Sequence, residues 1–161
     1  MGLDMYLSKD EYVSTYDSND YGEVDRVVGF EITVKKELSN GTMKEETFKS
    51  GYPTHGLTIL VPVAYWGKAN QIHRFFIDSC ADGYEMQTDM YVSGHTLEQL
   101  LERCKKVLAN HSLAEELLPT TDGFFFGSLK YDEHYFQDLE ETVEALKDLD
   151  FEADYRYHAS W

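Results

Sequence analysis

Leu3, Met5 and Leu7 alternate with Gly2, Asp4 and Tyr6, the two-residue period of a strand with one buried face. Residues 10–25 are rich in Asp, Ser and Asn and read as a loop. Alternation returns at Arg26, with Val28, Phe30, Ile32 and Val34 on one face and Gly29, Glu31, Thr33 and Lys35 on the other. Asn40-Gly41 is a dipeptide favoured in tight hairpins because both residues tolerate positive φ. Residues 42–49 are therefore predicted to return as a polar, solvent-facing edge strand. The unbroken apolar run 57–63 reads as a buried strand that stops near Pro62.

From residue 65 the period changes to that of a helix. Residues 65–81 place Trp66, Ala69, Ile72, Phe76, Ile77 and Cys80 on one arc. After a short strand over 88–92, Thr96 and Gln99 have the spacing of a capping box, and Leu97, Leu100, Leu101, Cys104, Val107 and Leu108 share a face. Ser112 and Glu115 repeat that spacing before a short helix that ends at Leu118-Pro119. A long helix over 130–149, capped by Ser128, is predicted to bury Tyr135, Phe136, Leu139, Val143 and Leu146. In 154–161, Tyr155, Tyr157, Ala159 and Trp161 alternate with Asp154, Arg156, His158 and Ser160, a strand that docks back on the sheet.

These elements predict an α+β fold, an antiparallel sheet of N-terminal strands plus the C-terminal strand, packed against about three main helices. No repeat, low-complexity tract or linker interrupts the chain, so residues 1–161 are expected to form a single domain. Cys80 and Cys104 have no paired spacing and read as free thiols of a reducing compartment. No apolar run has the ~20 residues needed to cross a bilayer. The N-terminal residues lack the basic flank and apolar block of a secretion signal, so the expected location is the compartment of synthesis.

A net charge of −16 argues against direct nucleic-acid binding and against an anionic membrane surface, since both need Lys and Arg. It suits a well-solvated surface, or an acidic protein that occupies a basic groove as a nucleic-acid mimic would. Glu133, Glu140, Glu141, Glu144 and Asp148 share one face of the last helix and admit both readings.

His73 falls inside the apolar arc of its helix with Asn70 at the edge. Two readings stay open: a core histidine, or a polar anchor in a pocket. Lys68 and Arg74 lie on other sides of that helix. Gly127-Ser128 sits at the start of the last helix, where free N–H groups suit an anion, although Asp132 and Glu133 already occupy the first turn. Twelve Tyr and nine Phe supply core first and stacking surfaces second. Walker, dinucleotide-binding, zinc-protease and nucleophile-elbow patterns are absent from the sequence. No catalytic residue, metal ligand or cofactor is assigned, which favours a binding protein over an enzyme.

Several blocks also carry a resemblance. Met1-Gly2-Leu3-Asp4-Met5-Tyr6-Leu7, Tyr65-Trp66-Gly67-Lys68-Ala69-Asn70-Gln71-Ile72-His73, Leu118-Pro119, Gly123-Phe124-Phe125-Phe126-Gly127-Ser128 and Tyr131-Asp132-Glu133 resemble a family of small proteins of tailed phages and prophages. The family pattern has Arg where this chain has Gly67, so no phosphate-binding role carries over to that position. The resemblance implies an accessory phage protein in the cytoplasm of a bacterial host. By analogy with inhibitors of host defence, it would sequester a nucleotide-derived immune signal, such as an ADP-ribose derivative, without turning it over. Trp66, Phe125, Tyr131 and Trp161 would stack on a base. Asn70, His73 and Ser128 would bond ribose or phosphate, and Lys68 would add charge. The expected partner is a small nucleotide-like molecule, with homo-oligomerisation open. An acidic inhibitor of a host protein and a small nucleotide-processing enzyme are the alternatives.

Overall fold

The computed structural model describes residues 2–14, 16–18, 24–26, 29–50, 56–81, 83 and 89–161. The chain, read above as one domain, divides into two compact units: Met1–Asp10 with Leu60–Trp161, and Glu11–Ile59. The fold is α+β, with a four-stranded antiparallel sheet.

In the larger unit the strand order is β6-β1-β8-β7, from β1 (Asp4–Ser14), β6 (Gly56–Gly67), β7 (Met90–Ser93) and β8 (Asp154–Ser160). β1 and β6 each contribute residues to both units. Met5 pairs with Ala159, Leu7 with Tyr157, and Val92 with Tyr155, all on the buried face. The N- and C-terminal strands thus meet as their alternation predicted. Against this face pack α1 (Asn70–Cys80), α2 (Gly94–Ala109) and α4 (Glu133–Leu146); the four-residue α3 (Ala114–Leu117) follows a 3-10 turn at His111–Leu113. Leu97, Leu100, Leu101, Cys104 and Val107 of α2 are all buried. Each fully buried leucine contributes about 1.5–3 kcal/mol, against about 1 kcal/mol for a typical helix cap.

The run 57–63 is not a buried strand. β6 lies at the sheet edge, and Ile59, Leu60 and Val61 are exposed. An edge tolerates Pro62, whose missing N–H leaves no interior ladder bond unmade, so the strand continues to Gly67. Residues 65–67 are therefore extended, and α1 begins at Asn70 instead of 65. Lys68, at φ 63°, turns the chain between them, and its N–H donates to the Leu3 carbonyl at 2.7 Å.

Three caps differ from the predicted ones, two lying upstream and one downstream. Ser93 caps α2 by accepting from the Thr96 N–H, which places Thr96 at the third helical position. Asn110 accepts from the Ser112 N–H, and Asp132, not Ser128, caps α4 by accepting from the Tyr135 N–H. Of the residues expected inward on α4, Tyr135, Leu139 and Leu146 are buried, Phe136 and Val143 partly so, and Thr142 joins them.

The smaller unit holds two hairpins, β2 (Tyr16–Ser18) with β3 (Val24–Arg26), and β4 (Phe30–Glu37) with β5 (Met43–Ser50). The loop expected over 10–25 lies partly outside the described residues, as do Val28 and Thr88. Where described, strand replaces loop: β1 runs on to Ser14, and β2 and β3 follow. All of β5 is exposed, in keeping with its polarity. Lys49–Glu31, Lys35–Glu45 and Thr33–Thr47 face each other across β4 and β5 in register. Of the turn residues only Gly41 has positive φ. The Gly41 and Leu38 N–H groups bond the Leu38 and Thr42 carbonyls, making a three-residue loop instead of the two-residue turn expected from Asn40-Gly41.

Gly94 tests the helix–strand packing. A Cβ there would lie 1.7 Å from the Phe151 carbonyl oxygen, which is backbone and cannot swing aside. Gly94→Ala is expected to lower the unfolding free energy by about 2 kcal/mol through overpacking. Urea denaturation of wild type and variant measures this; an unchanged midpoint would show that the backbone yields freely.

Candidate functional site

Asn70 is the first residue of α1 and is buried. Its Nδ2 donates to the carbonyls of Phe126 at 3.1 Å and Ser128 at 2.9 Å, and its Oδ1 accepts from the Thr121 N–H at 3.0 Å. One side chain thus ties the segment 121–128 to the start of α1. Gly127, at φ 96°, comes so close to Lys68 that a Cβ would lie 3.1 Å from the lysine's carbonyl oxygen and its Cβ. Next to this junction is a cavity of about 330 Å³ whose walls include Lys68, Gln71, Ser128, Lys130, His134 and Asp138.

Two lysines are among its lining residues. Lys68 and Lys130 have no ion-pair partner among the described residues, whereas Lys9, Lys35, Lys49, Lys105 and Lys147 each pair with a carboxylate. α1 starts without a side-chain cap and without an acidic residue of its own in the first turn, although Asp132 and Asp138 of the last helix also line the cavity. Another part of the wall is acceptor-rich. Gln71, 3% exposed, donates from Nε2 to Asp138 Oδ2 at 2.9 Å. Burial raises the Asp138 carboxyl above the usual carboxylate range, and the Gln71 hydrogen bond opposes that shift. Tyr135, also in the wall, is committed elsewhere: its hydroxyl donates to the Leu118 carbonyl at 2.8 Å.

Of the residues proposed from sequence, Lys68 and Ser128 line this cavity. Tyr131, between two lining residues, is 37% exposed, and Phe125, two residues before Gly127, is 47% exposed with φ 67°. Neither these two nor the remaining four, Trp66, Asn70, His73 and Trp161, line it. Trp66 is buried and donates from Nε1 to Thr142 Oγ1 at 2.8 Å, so it is core and offers no stacking wall. Asn70 spends its amide on backbone groups. Trp161 is half-buried, with its ring edge-on to Phe126 and His73.

His73 sits in the core, yet its Nε2 has no hydrogen-bond partner among the described residues. It is fully buried, its Nδ1 lies 2.7 Å from the Tyr157 hydroxyl oxygen, and Phe126 and Trp161 flank its ring. A second hollow of about 250 Å³, whose wall includes His73 with Arg74, Asp78 and Thr121, shares no residue with the first.

Gln71, Lys130, His134 and Asp138 were missed. Two signals were available: Lys130 follows Ser128 by two residues, and His134 and Asp138 stand four apart on one helix, hence on one face. Gln71 carried no such signal. Among the described residues no three His, Cys, Asp or Glu side chains gather to hold a metal ion, and no helix is long and apolar enough to cross a membrane.

Family models, curated proteins and solved structures, each compared with the chain, yield no match.

Burial lowers the His73 pKa from 6.5 to about 4. The unfolded chain therefore binds a proton near pH 6.5 that the folded chain refuses until about pH 4. The resulting stability is complete above pH 6.5 and is lost as pH falls toward 4, roughly 3 kcal/mol in all. His73→Phe should flatten that part of the profile, read as urea midpoints between pH 4 and 7. An equal slope in wild type and variant would place the titration elsewhere.

Proposed function

We propose that the protein binds a small phosphorylated, nucleotide-like ligand and holds it without turnover. In that role it would serve as a phage accessory protein that sequesters a nucleotide-derived signal of host immunity. The observation that carries the reading is the pair Lys68 and Lys130, two cations without ion-pair partners at an uncapped helix start, in a chain of net charge −16. Most lysines of such a chain find carboxylates. Of the four described lysines without an ion-pair partner, Lys44, Lys68, Lys106 and Lys130, two line this cavity together with Ser128, and an anion suits them as partner.

A volume of about 330 Å³ lies at the lower end of the ~300–1,000 Å³ typical of ligand sites. The phosphorylated part of a larger signal, such as an ADP-ribose derivative, would occupy it, leaving an aromatic base to lie over the exposed rings of Phe125 and Tyr131. The site takes Lys68, Ser128, Phe125 and Tyr131 from the sequence-based set and adds Gln71, Lys130 and Asp138. A nucleotide-processing enzyme is the second reading, favoured by the desolvated Asp138 carboxyl in the same cavity.

Incubation with candidate nucleotides, desalting, heat release and mass spectrometry separates these readings. Intact ligand at near one equivalent is expected. Lys68→Ala and Lys130→Ala should each weaken binding about tenfold or more, since a charge-assisted hydrogen bond contributes about 1.5–3 kcal/mol. Chemically altered ligand would establish the enzyme instead. Failure of wild type to retain any phosphorylated compound would end the proposal.

A further inference from the structure

A buried polar atom without a partner is costly unless something outside the chain completes it, and His73 Nε2 is such an atom among the described residues. The other ring nitrogen fixes what that something must offer. Nδ1 lies 2.7 Å from the Tyr157 hydroxyl oxygen, and among the described residues that hydroxyl has no second hydrogen bond. Burial raises the Tyr157 pKa, so the phenol keeps its proton and donates it to Nδ1. Burial also keeps the imidazole neutral down to about pH 4. The ring is therefore the tautomer with its hydrogen on Nε2, an N–H donor that lacks an acceptor.

The two nitrogens of an imidazole face nearly opposite ways, so Nε2 turns away from Tyr157. The hollow of about 250 Å³ borders this residue, with Arg74, Ile77, Asp78, Gly83 and Thr121 as the rest of its wall. Thr121 is held there by the bond from its N–H to Asn70 Oδ1 at 3.0 Å. Arg74 Nε donates to Asp78 Oδ2 at 3.3 Å, so the charged part of the wall is a matched pair. An anion would face Asp78 here, and a cation would face Arg74. A neutral hydroxyl meets neither objection, because its oxygen accepts from Nε2–H while its hydrogen is left for a carboxylate. Several hydroxyls on one frame supply partners for His73, the ion pair and the Thr121 hydroxyl together. The volume lies just below the ~300 Å³ at which sites for drug-sized ligands begin, which suits one small ring and not a whole nucleotide. We propose that this hollow is a second binding site, which takes a neutral polyol the size of one sugar ring, with His73 Nε2–H as the buried donor to a hydroxyl oxygen. It shares no lining residue with the anion cavity and does not rest on that reading.

NMR of the full chain tests it. A long-range proton–nitrogen spectrum near neutral pH should show His73 protonated at Nε2; protonation at Nδ1 would overturn the proposal. Titration with D-ribose should then move the His73 ring signals saturably. Asp78 is exposed, so Asp78→Ala should leave the fold intact and weaken that binding about tenfold, and His73→Phe should abolish it. Lys68→Ala should leave D-ribose affinity within twofold while phosphate binding falls, which separates the fates of the two sites. Acetate or acetamide binding as tightly as D-ribose would overturn the assignment to hydroxyls, as would an undiminished affinity in Asp78→Ala. No response to D-ribose would mean that water alone completes Nε2, and the proposal would be lost.

Discussion

The cavity depends on the amide of Asn70. Helix α1 leaves its first backbone groups without a side-chain cap, and the segment 121–128 crosses beside it as irregular chain. Irregular backbone carries donors and acceptors that must be satisfied when buried. Asn70 bonds two carbonyls and one N–H of that segment at once, replacing the ladder that a strand would have provided. With the segment held there, Gly127 can approach Lys68, and Ser128 and Lys130 are carried to the mouth of the hollow. An apolar residue at position 70 would strand three backbone groups, and the walls would separate.

Electrostatics reinforces the point on a different length scale. A net charge of −16 opposes the approach of an anion from a distance. At physiological ionic strength, however, the Debye length is about 8 Å, so much of that charge is screened from a ligand already at the cavity. What such a ligand meets is local: Lys68, Lys130 and the start of α1, together with Asp132 and Asp138. Charges of both signs therefore border the hollow.

Periodicity made the sheet and helix faces legible. Leu3, Met5 and Leu7 face Tyr157 and Ala159 because a two-residue repeat leaves no other buried face, and the stripe on α2 follows from the helical repeat in the same way. The failures cluster where a long-range partner overrides local pattern. Residues 65–67 have the composition of a helix start but lie in an edge strand beside β1. Ser93, Asn110 and Asp132 took the caps because each stood immediately before a helix or turn that began earlier or later than periodicity indicated. At the site, Lys68 and Ser128 were readable as polar residues next to glycines. The apolar arc that drew attention to Trp66 marked it as core, and the same arc buries His73. Gln71 and Asp138 meet across 67 residues, a contact that no local spacing encodes.

Lys68 itself carries a last implication. Its φ of 63° lies in the left-handed region, where any side chain with a Cβ incurs roughly 1–2 kcal/mol relative to a relaxed backbone. Glycine would occupy that corner at no steric cost, and asparagine at less. The residue that makes the corner is nonetheless one that lines the hollow. Because the corner is rigid, held by the Leu3 carbonyl on one side and Gly127 on the other, the root of that long side chain is immobilised before anything binds. The conformational entropy that a flexible lysine root would surrender on capture has already been spent in folding, so strain in the main chain becomes readiness in the side chain.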